Sequence, residues 1–86
     1  MVTKECTVLN ETGIHVRPAT VLAKTVTPLS ANVTIESKGK TANAKSLIEI
    51  ISLRVSIGDV VKVTVDGENE EAICNELVDF IANIRD

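Results

Sequence analysis

Val33 and Ile35 alternate with Thr34 and Glu36, so residues 32–37 read as a strand with one apolar face. Lys40 to Ala44 supplies a short extended partner, and only the turn Ser37-Lys38-Gly39-Lys40 lies between the two. Parallel neighbours need a crossover of roughly a dozen residues or more, so this pair is an antiparallel hairpin and a doubly wound parallel sheet is ruled out. Two further strands flank it in sequence. Val2 to Leu9 is rich in β-branched residues, with Cys6 and Val8 on one side and Glu5 and Thr7 on the other. Val60 to Val65 is the strongest strand signal, with Val61, Val63 and Val65 on one face. Asn10-Glu11-Thr12-Gly13, Gly58-Asp59 and Asp66-Gly67 punctuate these segments as turns.

Three helices fill the gaps. Ala19, Leu22, Ala23, Val26 and Leu29 recur at three and four residues and define one helical face. Pro18 fits only the first turn, where a missing N–H costs no intrahelical bond, so this helix starts near His15 or Val16. Thr27-Pro28 ends it. Ser46, with Glu49 three residues on, has the capping-box pattern and opens a second, short helix. Ile73, Leu77, Ile81 and Ile84 line a third, whose first turn carries Glu70 and Glu71. The order β-α-β-β-α-β-α predicts an α+β fold, an open-faced β-sandwich. Its four-stranded antiparallel sheet carries three helices on one face, while Thr34, Glu36, Lys62 and Thr64 look to water from the other.

With 86 residues, 44% of them hydrophobic, the chain can build one core, so residues 1–86 are expected to form a single domain. That core has no room for a large buried cofactor, and none is expected. A net charge of −3 argues against a nucleic-acid module, and with one Phe and no Tyr or Trp there is no aromatic platform for bases. No apolar run is long enough to span a membrane, and Met1-Val2-Thr3-Lys4-Glu5 lacks the features of a signal peptide. Cys6 and Cys74 are too few for a disulfide framework or a structural zinc site. They read as reduced, core-facing thiols of a cytoplasmic protein.

The chemistry concentrates at His15, the only histidine, placed at a helix start between Gly13 and Arg17. The first N–H groups of a helix point outward and, with the helix dipole, favour an anion. Arg17 adds a permanently charged fork suited to phosphate oxygens. Both disfavour an imidazolium, leaving a neutral, nucleophilic ring whose attack on a phosphoryl group would give phosphohistidine. The plain alternative is a surface histidine that merely begins a helix. A metal site lacks a second histidine, and a hydrolase triad lacks a carboxylate placed to orient the ring.

Gly13-Ile14-His15-Val16-Arg17-Pro18-Ala19-Thr20 resembles the active-site segment of HPr, the histidine-containing phosphocarrier family of the phosphoenolpyruvate-dependent sugar phosphotransferase system. Lys45-Ser46-Leu47-Ile48, followed by Ser52-Leu53, is similar to that family's regulatory-serine segment. The likeness extends over nearly the whole chain. It implies that His15 accepts a phosphoryl group on Nδ1 from enzyme I and donates it to the A domain of a sugar-specific enzyme II. Arg17 would neutralise phosphoryl charge, and Val16 and Pro18 would set the helix start. It implies no bound cofactor, no metal, and a carrier that does not turn over alone. It also implies docking of partners on Leu47, Ile48 and Ile51, with Thr20 and Lys24 on the adjoining helix.

Ser46 has a second implied role, as target of an HPr kinase/phosphorylase. Glu49 stands where many relatives have glycine, and its carboxylate would compete with a phosphate at the same helix start, so modification is expected to be weak or absent. Arg54 stands where relatives usually carry glycine, predicting an altered or strained exit from the second helix. Val16 replaces a commonly smaller residue. From the pattern of the second helix, Ile50, Leu53 and Val55 face the core, leaving Leu47, Ile48 and Ile51 partly exposed. No seam for self-association is evident, so a monomer is expected. Other readings are a carrier in a nitrogen-related or dihydroxyacetone phosphotransfer chain, or a regulatory module acting through the Ser46 surface.

Overall fold

The valine alternation of residues 60–66 builds the interior of the sheet. In a computed structural model that describes residues 1–85, the elements run β1 (Val2–Thr7), α1 (Val16–Val26), β2 (Asn32–Ser37), β3 (Lys40–Asn43), α2 (Leu47–Ser52), β4 (Val60–Asp66) and α3 (Glu70–Ala82). This is the expected α+β order. The strands form one antiparallel sheet in the order β1-β4-β2-β3. β4 and β2, the strands with the densest inward β-branched residues, occupy the centre. Their register pairs Val33 with Val65 and Ile35 with Val63. Val61, Val63, Val65 and Ile35 are fully buried beneath the helices, together with Leu22, Val26, Ile50, Cys74 and Ile81. On the opposite face Thr3, Thr64 and Thr34 lie in register, and the Thr3 and Thr64 hydroxyls are 2.9 Å apart.

Several local expectations change. β1 ends at Thr7, not Leu9, because the loop before β4 takes over: Val8 N–H donates to Asp59 O at 2.9 Å and Gly58 N–H donates to Val8 O at 2.8 Å. Cys6 is half-buried whereas Cys74 is buried. Loss of hydration pushes both thiols up, which suits inert packing groups. α3 stops at Ala82, where the Asn83 side-chain amide turns back to donate to Asp79 O at 2.7 Å. Ile84 therefore lies beyond the helix; Cys74, Leu77 and Ile81 form its buried face, while Ile73 and Ile84 are only partly buried beside the core.

Ser46 is the N-cap of α2, its Oγ accepting the Glu49 N–H at 3.3 Å. The reciprocal half of the capping box is not made. Glu49 Oε1 accepts the Asn43 N–H at 3.0 Å, and Ser46 N–H is already given to Asn43 O at 2.9 Å. Asn43 closes the edge strand β3, where an amide without a sheet partner needs another acceptor, and Glu49 supplies it. After α2, Arg54 adopts φ +53°, so the exit is the left-handed one that glycine favours. Its carbonyl accepts Lys38 Nζ at 2.8 Å, and the same ammonium sits 3.0 Å from Asp59 Oδ2.

Candidate functional site

The approach to α1 is set by backbone contact. Gly13 has φ +69°, and a Cβ there would lie 2.2 Å from Val55 O and 2.7 Å from Ser56 Cα. Only glycine permits both the conformation and the approach. Ile14 N–H then donates to Val55 O at 3.1 Å, while the Asn10 side-chain amide holds Gly13 O at 2.8 Å. The segment before α1 is thereby fastened to the segment after α2, which fixes where the helix begins.

His15 is the N-cap residue, as expected, with φ −97° and ψ −172°. Its carbonyl accepts the Ala19 N–H at 3.0 Å, starting the helical ladder. The ring does not cap the helix, and its Nε2 atom is closed off from solvent. Val16 and Arg17 follow with N–H groups that have no acceptor within the helix, and buried Pro18 has no N–H to satisfy. The first turn contains no acidic residue, so nothing in it offsets the positive end of the dipole. Arg17 and Val16 are exposed. Thr20 is half-buried and donates its hydroxyl back to Val16 O at 2.7 Å, while Lys24 projects from the last turn, far along the helix from His15.

Arg17, Pro18 and Val21 form one wall of a cavity of about 160 Å³. The other wall comes from the end of α3 and beyond: Phe80, Asn83, Ile84 and Arg85. Arg85 has no sequence signal tying it to residue 17; the two residues meet only as lining of this cavity.

α2 packs against α1, with Ile50 of the helix and Leu53 and Val55 just beyond its end buried. Leu47 is half-buried, Ile51 is exposed, and Ile48 is 77% exposed. With Val16, which is 60% exposed, these residues place apolar surface on both helices. Burial of one face of a short helix leaves the other apolar side chains outside, a pattern that invites a partner. Ser46 sits at the opposite, N-terminal end of α2 and is half-buried.

The chain matches the family model described as "PTS HPr component phosphorylation site" over residues 2–83. The phosphocarrier protein HPr of Borreliella burgdorferi is 36% identical over 86 residues, spanning 100% of both chains. That of Xylella fastidiosa strain Temecula1 is 35% identical over 83 residues, covering 96% of this chain and 93% of the relative. Among solved structures, HPr-C-His from Thermoanaerobacter tengcongensis superposes with a TM-score of 0.86 at 40% identity, covering 94% of this chain and 91% of that one.

Proposed function

The chain belongs to the HPr family of phosphocarrier proteins, and on that footing we propose that it carries a phosphoryl group on His15 between enzyme I and the A domain of a sugar-specific enzyme II. The observation that carries the reading is the helix start: a histidine N-cap followed by N–H groups without helical acceptors, an arginine, and no acidic residue in the first turn. In the acceptor step the bond holding the phosphoryl group to enzyme I breaks as an N–P bond forms to Nδ1 of His15. The lone pair of that atom makes the bond, which requires the tautomer with its proton on Nε2. Burial of Nε2 supports Nδ1 as the reacting atom. The new dianion meets the Arg17 guanidinium and the Val16 and Arg17 amides, which are set in place before any charge arrives. Pro18 contributes by pre-setting its φ for the helix. Donation to enzyme II is the reverse exchange, so the charge must be held only moderately.

In this scheme residues 1–86 act as one domain, a cytoplasmic monomer that does not turn over alone. It needs no cofactor or metal, because the partner enzymes supply them. Val16, Leu47, Ile48 and Ile51 form the apolar part of the docking face, with Thr20 and Lys24 at its margin. Ser46 serves first as the α2 cap, and a kinase acting on it meets the Glu49 carboxylate in the same turn. Intact-mass analysis after incubation with enzyme I, phosphoenolpyruvate and magnesium tests the reading. One acid-labile phosphoryl adduct is expected, absent in His15→Ala. No adduct on the native chain with several active enzyme I preparations refutes it.

A further inference from the structure

The turn between β2 and β3 carries a residue that its backbone disfavours. Lys38 and Gly39 join Ser37 to Lys40 with φ +54° and +79°. A two-residue turn of this hand favours asparagine at its first position, because most side chains adopt that conformation only with strain. What lysine supplies instead is reach. Its Nζ donates to Arg54 O at 2.8 Å and lies 3.0 Å from Asp59 Oδ2, so it ties together both ends of the loop between α2 and β4. Arg54 is itself left-handed, at φ +53°, so the bond joins two strained turns. The same Asp59 oxygen accepts the Ser56 N–H at 2.8 Å and closes the loop from inside. Between these fixed points stands Val55, whose carbonyl accepts the Ile14 N–H at 3.1 Å, immediately before the His15 N-cap. Every link from Lys38 to the helix start is a hydrogen bond or a direct neighbour in the chain. We infer that Lys38 is a positioning residue of the transfer site: its ammonium holds the turn at Arg54 closed and so fixes the Val55 carbonyl to which the approach to His15 is fastened. The inference rests on the carrier reading above. It places a determinant of the site in the β2–β3 hairpin, outside the helix-start motif.

Two readouts on the full chain test it, and one needs no partner. Amide exchange followed by NMR reports opening of the Ile14 N–H to Val55 O bond, with the amides of the central strand β4 as the measure of global opening. Rapid-quench transfer from phosphorylated enzyme I, read by intact mass over a range of carrier concentrations, separates the maximal rate from the half-saturating concentration. K38N supplies the residue that the turn favours and removes the ammonium, so the hairpin is kept while the tether is lost. Loss of one exposed, charge-assisted hydrogen bond predicts that Ile14 exchange rises about threefold while β4 exchange does not, and that the maximal rate falls about threefold at an unchanged half-saturating concentration. K38R, which keeps a charged donor, should retain most of both. In an R54G background K38N should have little effect, because glycine holds the left-handed turn without a tether. Ile14 exchange at the native level in K38N overturns the inference, as does a rise matched in β4, which is a loss of global stability. So does a raised half-saturating concentration at an unchanged maximal rate, which assigns the ammonium to contact with a partner. An unchanged maximal rate despite faster Ile14 exchange also overturns it, leaving Lys38 a structural tether only. An undiminished K38N effect in the R54G background, or a K38R loss as large as that of K38N, overturns the route through Arg54 O. If the native chain takes no phosphoryl group, the carrier reading fails and takes the transfer role with it, while the exchange readout still shows whether Lys38 holds the Ile14 contact.

Discussion

Replacing Arg54 by glycine is expected to stabilise the protein. Arg54 follows the C-cap of α2 at φ +53°, donating its N–H to Ile51 O at 3.1 Å, and its side chain makes no hydrogen bond or ion pair among the described residues. A residue with a Cβ held left-handed costs about 1–2 kcal/mol. Glycine removes that strain but loosens the unfolded chain, which returns about 0.4–1 kcal/mol. The net expectation is a gain of about 0.5–1 kcal/mol, or a rise of roughly 3–6 °C in Tm for a domain of this size. Thermal and urea unfolding followed by circular dichroism would measure it, with Arg54→Ala as control. Alanine keeps the Cβ and the strain, so it should stay within about 0.5 kcal/mol of the native chain. The reasoning is refuted if alanine stabilises as much as glycine, since the gain would then come from removing the guanidinium rather than from the backbone. The site has a stake in the result, because the residue after the reversal, Val55, holds the Ile14 N–H just ahead of His15.

Gly13→Ala should act in the other direction: with Val55 O 2.2 Å from the added carbon, the contact must open, at a cost of about 3 kcal/mol or more, and urea unfolding should show it. Asp59 is held below the usual carboxylate range, first by the Ser56 N–H and then by Lys38. A depressed folded-state value means that its contribution is present above the unfolded value of about 3.9 and disappears as pH falls through the folded one. Asp59→Asn should therefore narrow the stability difference between neutral pH and pH 3, seen as a flatter acid limb of Tm against pH. Ile48→Ser should leave Tm within about 2 °C, because the side chain is exposed, while slowing phosphoryl transfer from enzyme I several-fold without changing the final phosphorylated fraction. Glu49→Gly should raise the rate of Ser46 modification by an HPr kinase with ATP; equal rates would show that the carboxylate is no obstacle.

What could be read from residues alone was whatever is fixed by local chemistry. Pro18 places the start of α1 to within a residue because its ring and missing N–H suit only the first turn. The hairpin 32–44 follows from turn length and alternation, and Ala44, just past β3, still donates its N–H to Val33 O at 3.0 Å. The same locality explains the error at Glu49. Ser-x-x-Glu gives a capping box when the N-cap amide needs an acceptor, but here Asn43 O has taken the Ser46 N–H, and the edge of β3 presents a different amide to the carboxylate. That competitor lies six residues away and becomes visible only once the sheet is assembled. Arg85 illustrates the same limit beside the start of α1. No periodicity or motif links it to residue 17; the two line one cavity because residues 83–85, past the end of α3, lie beside α1. Residues that react are legible because their chemistry demands particular neighbours in sequence. Residues that only share a cavity can come from any part of the chain that folds within reach, and a local motif gives no warning of them.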